Sequence, residues 1–262
     1  MKFFDMHTHS HWSFDGRESI ESLCEAALAK GLAGIAVTDH NDIDCVVKGI
    51  YPPYEAEKYA EELAAVKKRY AGRLRVIMGV ELGQCHLEPI KSRELVETFG
   101  YEYVLGALHN LQDVPDFSFM KYESMPQGLL GELFDRALQE TKLLAGEPYL
   151  SALAHLTYPL RYMRLAGRKL DITRYYDKIS EVYDVLIARG IPLEINTSGL
   201  RNALGMTLPE EELVRFWREC GGRLVVLGSD AHRAQDVGAG LEYAYEMTQR
   251  IGGLDIFEPD TI

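Results

Sequence analysis

Six histidines, His7, His9, His40, His109, His155 and His232, stand at the ends of short apolar runs. The runs close as Phe3-Phe4-Asp5-Met6-His7, Gly34-Ile35-Ala36-Val37-Thr38-Asp39-His40, Val104-Leu105-Gly106-Ala107-Leu108-His109, Leu150-Ser151-Ala152-Leu153-Ala154-His155 and Leu224-Val225-Val226-Leu227-Gly228-Ser229-Asp230-Ala231-His232. Carboxylates share this placement: Asp39 precedes His40, Asp230 stands two before His232, and Glu81 closes Arg75-Val76-Ile77-Met78-Gly79-Val80. Imidazole suits zinc, iron and related ions, and carboxylates can bridge two of them. On an extended strand His7 and His9 fall on one face, within reach of one ion. The donors exceed what a single ion can use, so the pattern predicts a cluster of metal ions.

Something must bring these residues together, and the runs themselves supply it. Continuous apolar segments read as parallel strands buried on both faces. Seven are expected: Phe3 to Met6, Gly34 to Thr38, Arg75 to Val80, Tyr103 to Leu108, Leu150 to Ala154, Pro192 to Ile195 and Leu224 to Gly228. Helical patterns separate them at Ser19 to Lys30, Tyr54 to Tyr70, Gln127 to Ala145, Ile172 to Ala188, Pro209 to Glu219 and Val237 to Ile251. Pro209 before Glu210-Glu211-Glu212 is a start signal, with proline in the first turn and acids at the positive end of the helix dipole. The alternation predicts an α/β fold with a parallel sheet, closed or nearly closed into a barrel, its active site at the C-terminal ends of the strands. With no break in composition, residues 1–262 read as one domain. The irregular stretch from Asn110 to Pro126, which carries Phe117, Phe119, Met120 and Tyr122, reads either as a lid over the site or as a loop packed on the barrel rim.

Bulk properties narrow the partners. The 262 residues are 47% apolar and 26% charged, the balance of a globular chain long enough for one α/β barrel of about 250 residues. No apolar stretch approaches the roughly 20 residues of a membrane span, and Met1-Lys2-Phe3-Phe4-Asp5 leaves no room for a signal peptide, so the cytoplasm is the expected compartment. A net charge of −12 argues against a nucleic-acid polymer as substrate. A small phosphate ester remains compatible, because metal ions invert the local charge. Cys24, Cys45, Cys85 and Cys220 form no Cys-x-x-Cys pair and read as reduced, structural thiols.

Asp5-Met6-His7-Thr8-His9-Ser10, Thr38-Asp39-His40, the mid-chain His109 and Gly228-Ser229-Asp230-Ala231-His232, with Glu81 in Gly79-Val80-Glu81 and His155, resemble the motifs of the polymerase and histidinol phosphatase (PHP) superfamily of metal-dependent phosphoesterases. The resemblance runs from residue 5 to residue 232. It implies a distorted seven-stranded, TIM-like (βα)7 barrel holding three divalent metal ions. The first ion would take His7, His9, Glu81 and Asp230; the second would share Glu81 as a bridge and bind His109 and His155; the third would take Asp15, His40 and His232. Asp15, in Ser13-Phe14-Asp15-Gly16, looks like the aspartate-bearing branch of the superfamily, or else is a turn aspartate before glycine. Asp5 and Asp39 are expected to orient imidazoles rather than bind ions.

Two further segments, His155-Leu156-Thr157-Tyr158-Pro159-Leu160-Arg161-Tyr162 and Glu194-Ile195-Asn196-Thr197-Ser198-Gly199-Leu200-Arg201, look like those of the histidinol-phosphate phosphatases. In that family two arginines grip the substrate phosphate, and Arg161 and Arg201 stand at the matching positions. Guanidinium groups suit the task, since they donate paired hydrogen bonds to phosphate oxygens. Glu194 reads either as a partner for a cationic substrate group or as a rim residue that holds Arg201. His11 and His86 receive no role. The resemblance implies hydrolysis of L-histidinol phosphate to L-histidinol and phosphate, a step of histidine biosynthesis, with a metal-held hydroxide as nucleophile. Asp230 or His232 would assist the departing alkoxide. Two alternatives stay open: a phosphoesterase of the same superfamily acting on a nucleotide or sugar phosphate, and a metal-dependent amidohydrolase, which also carries His-x-His on the first barrel strand. The arginine pair and the late Ser-Asp-Ala-His segment favour the phosphatase. Mixed nitrogen and oxygen ligands accept zinc, iron or manganese alike, and oligomeric state leaves no mark on the sequence.

Overall fold

Apolar runs too short for membrane spans and too continuous for half-exposed strands have one stable arrangement, a parallel sheet covered by helices. The computed structural model describes residues 3–52 and 55–259. Its strands are β1 (Phe4–Thr8), β2 (Gly34–Val37), β3 (His40–Asp42), β4 (Arg75–Gly83), β5 (Tyr103–Ala107), β6 (Ala152–Leu153), β7 (Leu193–Asn196), β8 (Leu224–Gly228) and β9 (Asp255–Ile256). All the strand pairs are parallel, in the order β1-β2-β4-β5-β6-β7-β8-β9, with β3 paired to β4 off this path. The sheet curls until β1 meets the turn after β8: the Asp230 N–H donates to the His7 carbonyl and the His9 N–H to the Ala231 carbonyl, both at 2.8 Å.

The expectation of seven strands is therefore corrected to eight along the hydrogen-bonded path. The addition is β9, two residues with Asp255 exposed and Ile256 half-buried, which form a strand only because β8 offers them an edge. β3 was also missed. It reads His-Asn-Asp and is recruited by register, His40 opposite Glu81, rather than by any apolar pattern.

Helices fill the connections: α1 (Ile20–Ala29), α2 (Ile43–Val47), α3 (Ala56–Tyr70), α4 (Pro89–Phe99), α5 (Gln127–Ala145), α6 (Tyr158–Leu165), α7 (Tyr176–Arg189), α8 (Glu211–Glu219) and α9 (Leu241–Ile251). The Ser19 side chain caps α1 by accepting the Ser22 N–H. α5 matches its expected span because Leu130, Phe134, Ala137, Leu138, Thr141 and Leu144 make one buried stripe. α8 starts at Glu211, two residues beyond the anticipated proline. The expected start of α3 at Tyr54 lies outside the described residues. α4 escaped notice because the apolar residues it packs against the core, Leu95, Val96 and Phe99, are few and only half-buried.

Side chains alternate along the strands into two cores. Met6, Ile77, Leu105, Ala107 and Val226 fill the concave side, while Ile35, Val76, Val104, Ile195 and Val225 meet the helices. The stretch from Asn110 to Pro126 is packed, not free. Phe117 and Tyr122 are buried, the Tyr122 hydroxyl donates to the Phe117 carbonyl at 2.9 Å, and Arg168 donates to the carbonyls of Tyr122 and Met125 at 2.9 and 2.7 Å. Among the described residues no helix is long and apolar enough to cross a membrane.

Candidate metal centre

The first polar residue after a buried strand has to emerge at its C-terminal end, and here those ends converge on Glu81. Its Oε2 lies 2.9 Å from His40 Nδ1, 3.2 Å from His7 Nε2 and 3.5 Å from His9 Nε2. Its Oε1 lies 2.8 Å from His155 Nε2 and 3.2 Å from His109 Nε2. Asp230 Oδ1 faces His9 Nε2 and His232 Nδ1, both at 3.4 Å. Asp15 joins from the loop after β1, with Oδ2 at 3.0 Å from His232 Nε2 and Oδ1 at 3.7 Å from His40 Nε2. All nine residues expected around metal ions are thus brought into one cluster. His11 lies apart beside Glu62, and His86 beside Glu140.

Two backbone features aim these groups. Between Asp5 and Thr8, β1 carries one residue more than β2 opposite it, and this bulge lets His7 share the concave side with its neighbour Met6. Asp230 has φ +54, a left-handed backbone uncommon outside glycine. Arg201 holds that turn by donating to the carbonyls of Ser229 and Asp230 at 2.7 and 3.0 Å.

The outer nitrogens are held by groups that the sequence had not marked for this purpose. His7 Nδ1 lies 2.6 Å from Glu194 Oε1 and His109 Nδ1 lies 2.7 Å from Asp42 Oδ1. Because an ionised carboxylate only accepts, both imidazoles donate from Nδ1 and leave Nε2 facing Glu81. His9 Nδ1 meets Ser13 Oγ at 3.1 Å, and Ser13 in turn donates to Asp39 at 2.7 Å, so Asp39 orients an imidazole through a serine. Asp5 departs from the expectation. It accepts from the Ser229 hydroxyl and from the N–H groups of Ser229 and Gly238, tying the β8 turn to β1 without touching an imidazole ring. Glu194 is buried on His7 and on the His155 N–H, which removes it as a partner for substrate or for Arg201.

Glu194→Gln checks this arrangement. Both carboxylate oxygens accept from N–H donors, so either orientation of the amide sets an NH2 group against one of them. Metal affinity is expected to fall roughly 10–100-fold, read by competition with a chelator; an affinity within twofold of wild type would remove Glu194 from this role.

Burial opposes charge throughout, and neighbours decide the outcome. Glu194, Glu81 and Asp230 raise His7 well above the ordinary histidine value, and Asp42 and Glu81 do the same for His109. His40, half-buried, is raised to about 9 by Glu81 and Asp15. His9 goes the other way, lowered to about 3 by burial and by His232 and His40. Burial would protonate Glu81 and Asp230, yet the imidazoles hold both well below the usual carboxylate range. Anionic oxygen therefore sits at the centre of the cluster.

The donor set fits divalent ions. His7 Nε2, His9 Nε2, His40 Nδ1 and Glu81 Oε2 are buried without a hydrogen-bond partner, at a cost of about 1–3 kcal/mol each if nothing else satisfies them. Among the described residues, His7 with His9 and Asp230, His7 with Glu81 and His155, His9 with His40 and His232, and His40 with Asp42 and His109 each bring three donor atoms within 4.8 Å of one another.

A cleft of about 390 Å³ opens onto the cluster, with Arg161, Arg201, Tyr158 and Tyr162 in its wall. Arg161 rises from the first turn of α6, its Nη1 3.3 Å from Ser198 Oγ and 4.0 Å from Asp230 Oδ2, while its buried Nε has no partner. Arg17 and Arg233 also line the cleft. Sequence reasoning passed over both, since neither closes a strand and each sits in a loop without periodicity.

Comparison with known proteins bears on the family and the fold. The PHP domain family model matches residues 5–198. A protein of Clostridium acetobutylicum named "Probable histidinol-phosphatase" is 28% identical over 256 residues, covering 97% of this chain and 96% of the relative. Another of that name, from Deinococcus radiodurans, is 30% identical over 259 residues, covering 95% and 94%. The crystal structure of histidinol phosphate phosphatase from Lactococcus lactis, complexed with zinc, L-histidinol and phosphate, superposes with a TM-score of 0.80 at 18% identity over 98% of this chain and 95% of that one.

Proposed function

Because the chain belongs to the PHP domain family, we propose that it is a metal-dependent phosphatase whose substrate is L-histidinol phosphate, cleaved to L-histidinol and phosphate. One observation carries the reading: buried imidazole and carboxylate atoms without hydrogen-bond partners converge in the same cleft as Arg161 and Arg201. The near full-length relatives named as histidinol-phosphatases support the choice of substrate.

His7, His9, Glu81 and Asp230 would hold one ion, Glu81, His109 and His155 a second, and Asp15, His40 and His232 a third. Divalent ions bound there supply Lewis acidity that activates water near neutral pH and offsets phosphate charge. Arg161 and Arg201 grip the phosphate oxygens and neutralise the charge that grows on them at the transition state. His232 or Asp230 would assist the departing alkoxide. Against burial, His7 and the imidazoles around Asp230 hold its carboxyl below the usual carboxylate range. The Asn196 side-chain amide, donating to Asp230 Oδ2 at 3.4 Å, keeps that oxygen in place.

The test is phosphate release from L-histidinol phosphate by metal-replete protein, set against nucleotide and sugar phosphates, with and without chelator. The expected result is a chelator-sensitive kcat/KM at least about tenfold above every competitor, a gap of about 1.4 kcal/mol in transition-state binding. Better turnover of another ester would keep the metal chemistry and overturn the substrate.

A further inference from the structure

Gln84 follows β4 directly, is completely buried, and has φ +49. Gln84, Asp113 and Asp230 are the non-glycine residues with left-handed backbone among the described residues, and Asp230 is in the cluster itself. Such a backbone costs free energy at a residue with a β-carbon, which directs attention to what the side chain gains.

The carboxamide reaches four partners. Gln84 Oε1 accepts the main-chain N–H of His109 at 2.8 Å. Gln84 Nε2 donates toward Asp42 Oδ1 at 3.0 Å, Asp44 Oδ1 at 3.1 Å and Asn110 Oδ1 at 2.5 Å. Asp42 Oδ1 is also the atom that receives the ring N–H of His109. His109 is therefore held by Gln84 twice, at its backbone and, through Asp42, at its ring. Asp42 and Asp44 are both buried, and this one NH2 group lies between them. Asn110 Nδ2 and Lys48 Nζ, each 3.3 Å from Asp44 Oδ2, complete the network toward the surface. Gly83 makes room for it, since a β-carbon there would stand 2.1 Å from Asp42 Oδ1.

We propose that Gln84 is a positioning residue of the metal centre: it sets the pose of His109, and so the ion that His109 and His155 hold, by serving as the neutral donor between two buried carboxylates. The inference rests on the reading that the cluster binds divalent ions. A single donor group facing two anions is not replaceable by a group of the same shape that only accepts.

Gln84→Glu tests this, because it preserves shape and the acceptor for His109 N–H while setting a third carboxylate against Asp42 and Asp44. Elemental analysis of the folded variant equilibrated with zinc should report about one ion per chain fewer than wild type, with the remaining ions retained. A residue that only supported the fold would leave zinc content unchanged in the folded variant or release every ion together. Should the glutamate variant not fold, Gln84→Asn, which keeps the amide but withdraws it by one methylene, carries the same expected loss without added charge. Full occupancy in a folded variant, with zinc affinity within twofold of wild type, overturns the role of Gln84 alone. A wild-type protein that holds no zinc overturns the metal reading beneath it and the proposal with it.

Discussion

Glu81→Gln is expected to lower kcat/KM by roughly 10²–10⁴-fold and to reduce bound metal at more than one position. The size follows from the environment. Removing one partner from a buried charged pair costs about 3–5 kcal/mol, and each 1.36 kcal/mol is tenfold in rate. Glutamine keeps the volume, so the concave core should close over it unchanged. What it loses is the charge that both oxygens present to five imidazoles, Oε2 to His7, His9 and His40, Oε1 to His109 and His155. Because these imidazoles belong to separate proposed ions, the loss should not be confined to one of them. Elemental analysis beside steady-state kinetics checks the result. Wild-type stoichiometry in the variant would end the assignment of Glu81 as a bridge.

Arg161→Ala and Arg201→Ala should each lower kcat/KM by roughly 10²–10³-fold, the effect of deleting one charge-stabilising donor at a transition state. The structure separates the two variants in a second measurement. Arg161 reaches Ser198, the ring of Tyr162 and, at 4.0 Å, Asp230, and holds no backbone of the ligand turn, so its removal should leave metal content at the wild-type level. Arg201 holds the carbonyls of Ser229 and Asp230, on either side of the left-handed backbone that aims the Asp230 carboxylate. Its removal should therefore weaken metal binding as well as substrate use. Kinetics unchanged in both variants would remove the pair from the phosphate site. Equal metal retention would show that the Asp230 turn holds itself.

Much of the candidate site was legible because a parallel strand buried on both faces leaves a continuous apolar run, and the polar residue that ends the run must surface at the sheet's C-terminal edge. That single regularity placed His109, His155, Glu81 and Asp230 together without any knowledge of pairing. It did not extend to Asp42, whose strand has no apolar residue, nor to β9, which exists only as an addition to β8. Arg17 and Arg233 escaped for a related reason, since loops carry no periodicity to read.

The types and chain positions of the candidate ligands, the alternation of strand and helix, and the acidic surface that argues against polymers were written in the sequence. The tertiary structure alone decided which nitrogen of each imidazole faces inward. Glu194 governs His7 across 187 residues and Asp42 governs His109 across 67. A histidine chooses its proton-bearing nitrogen by its nearest acceptor, and that acceptor is supplied by the curl of the sheet, which no local pattern of residues records.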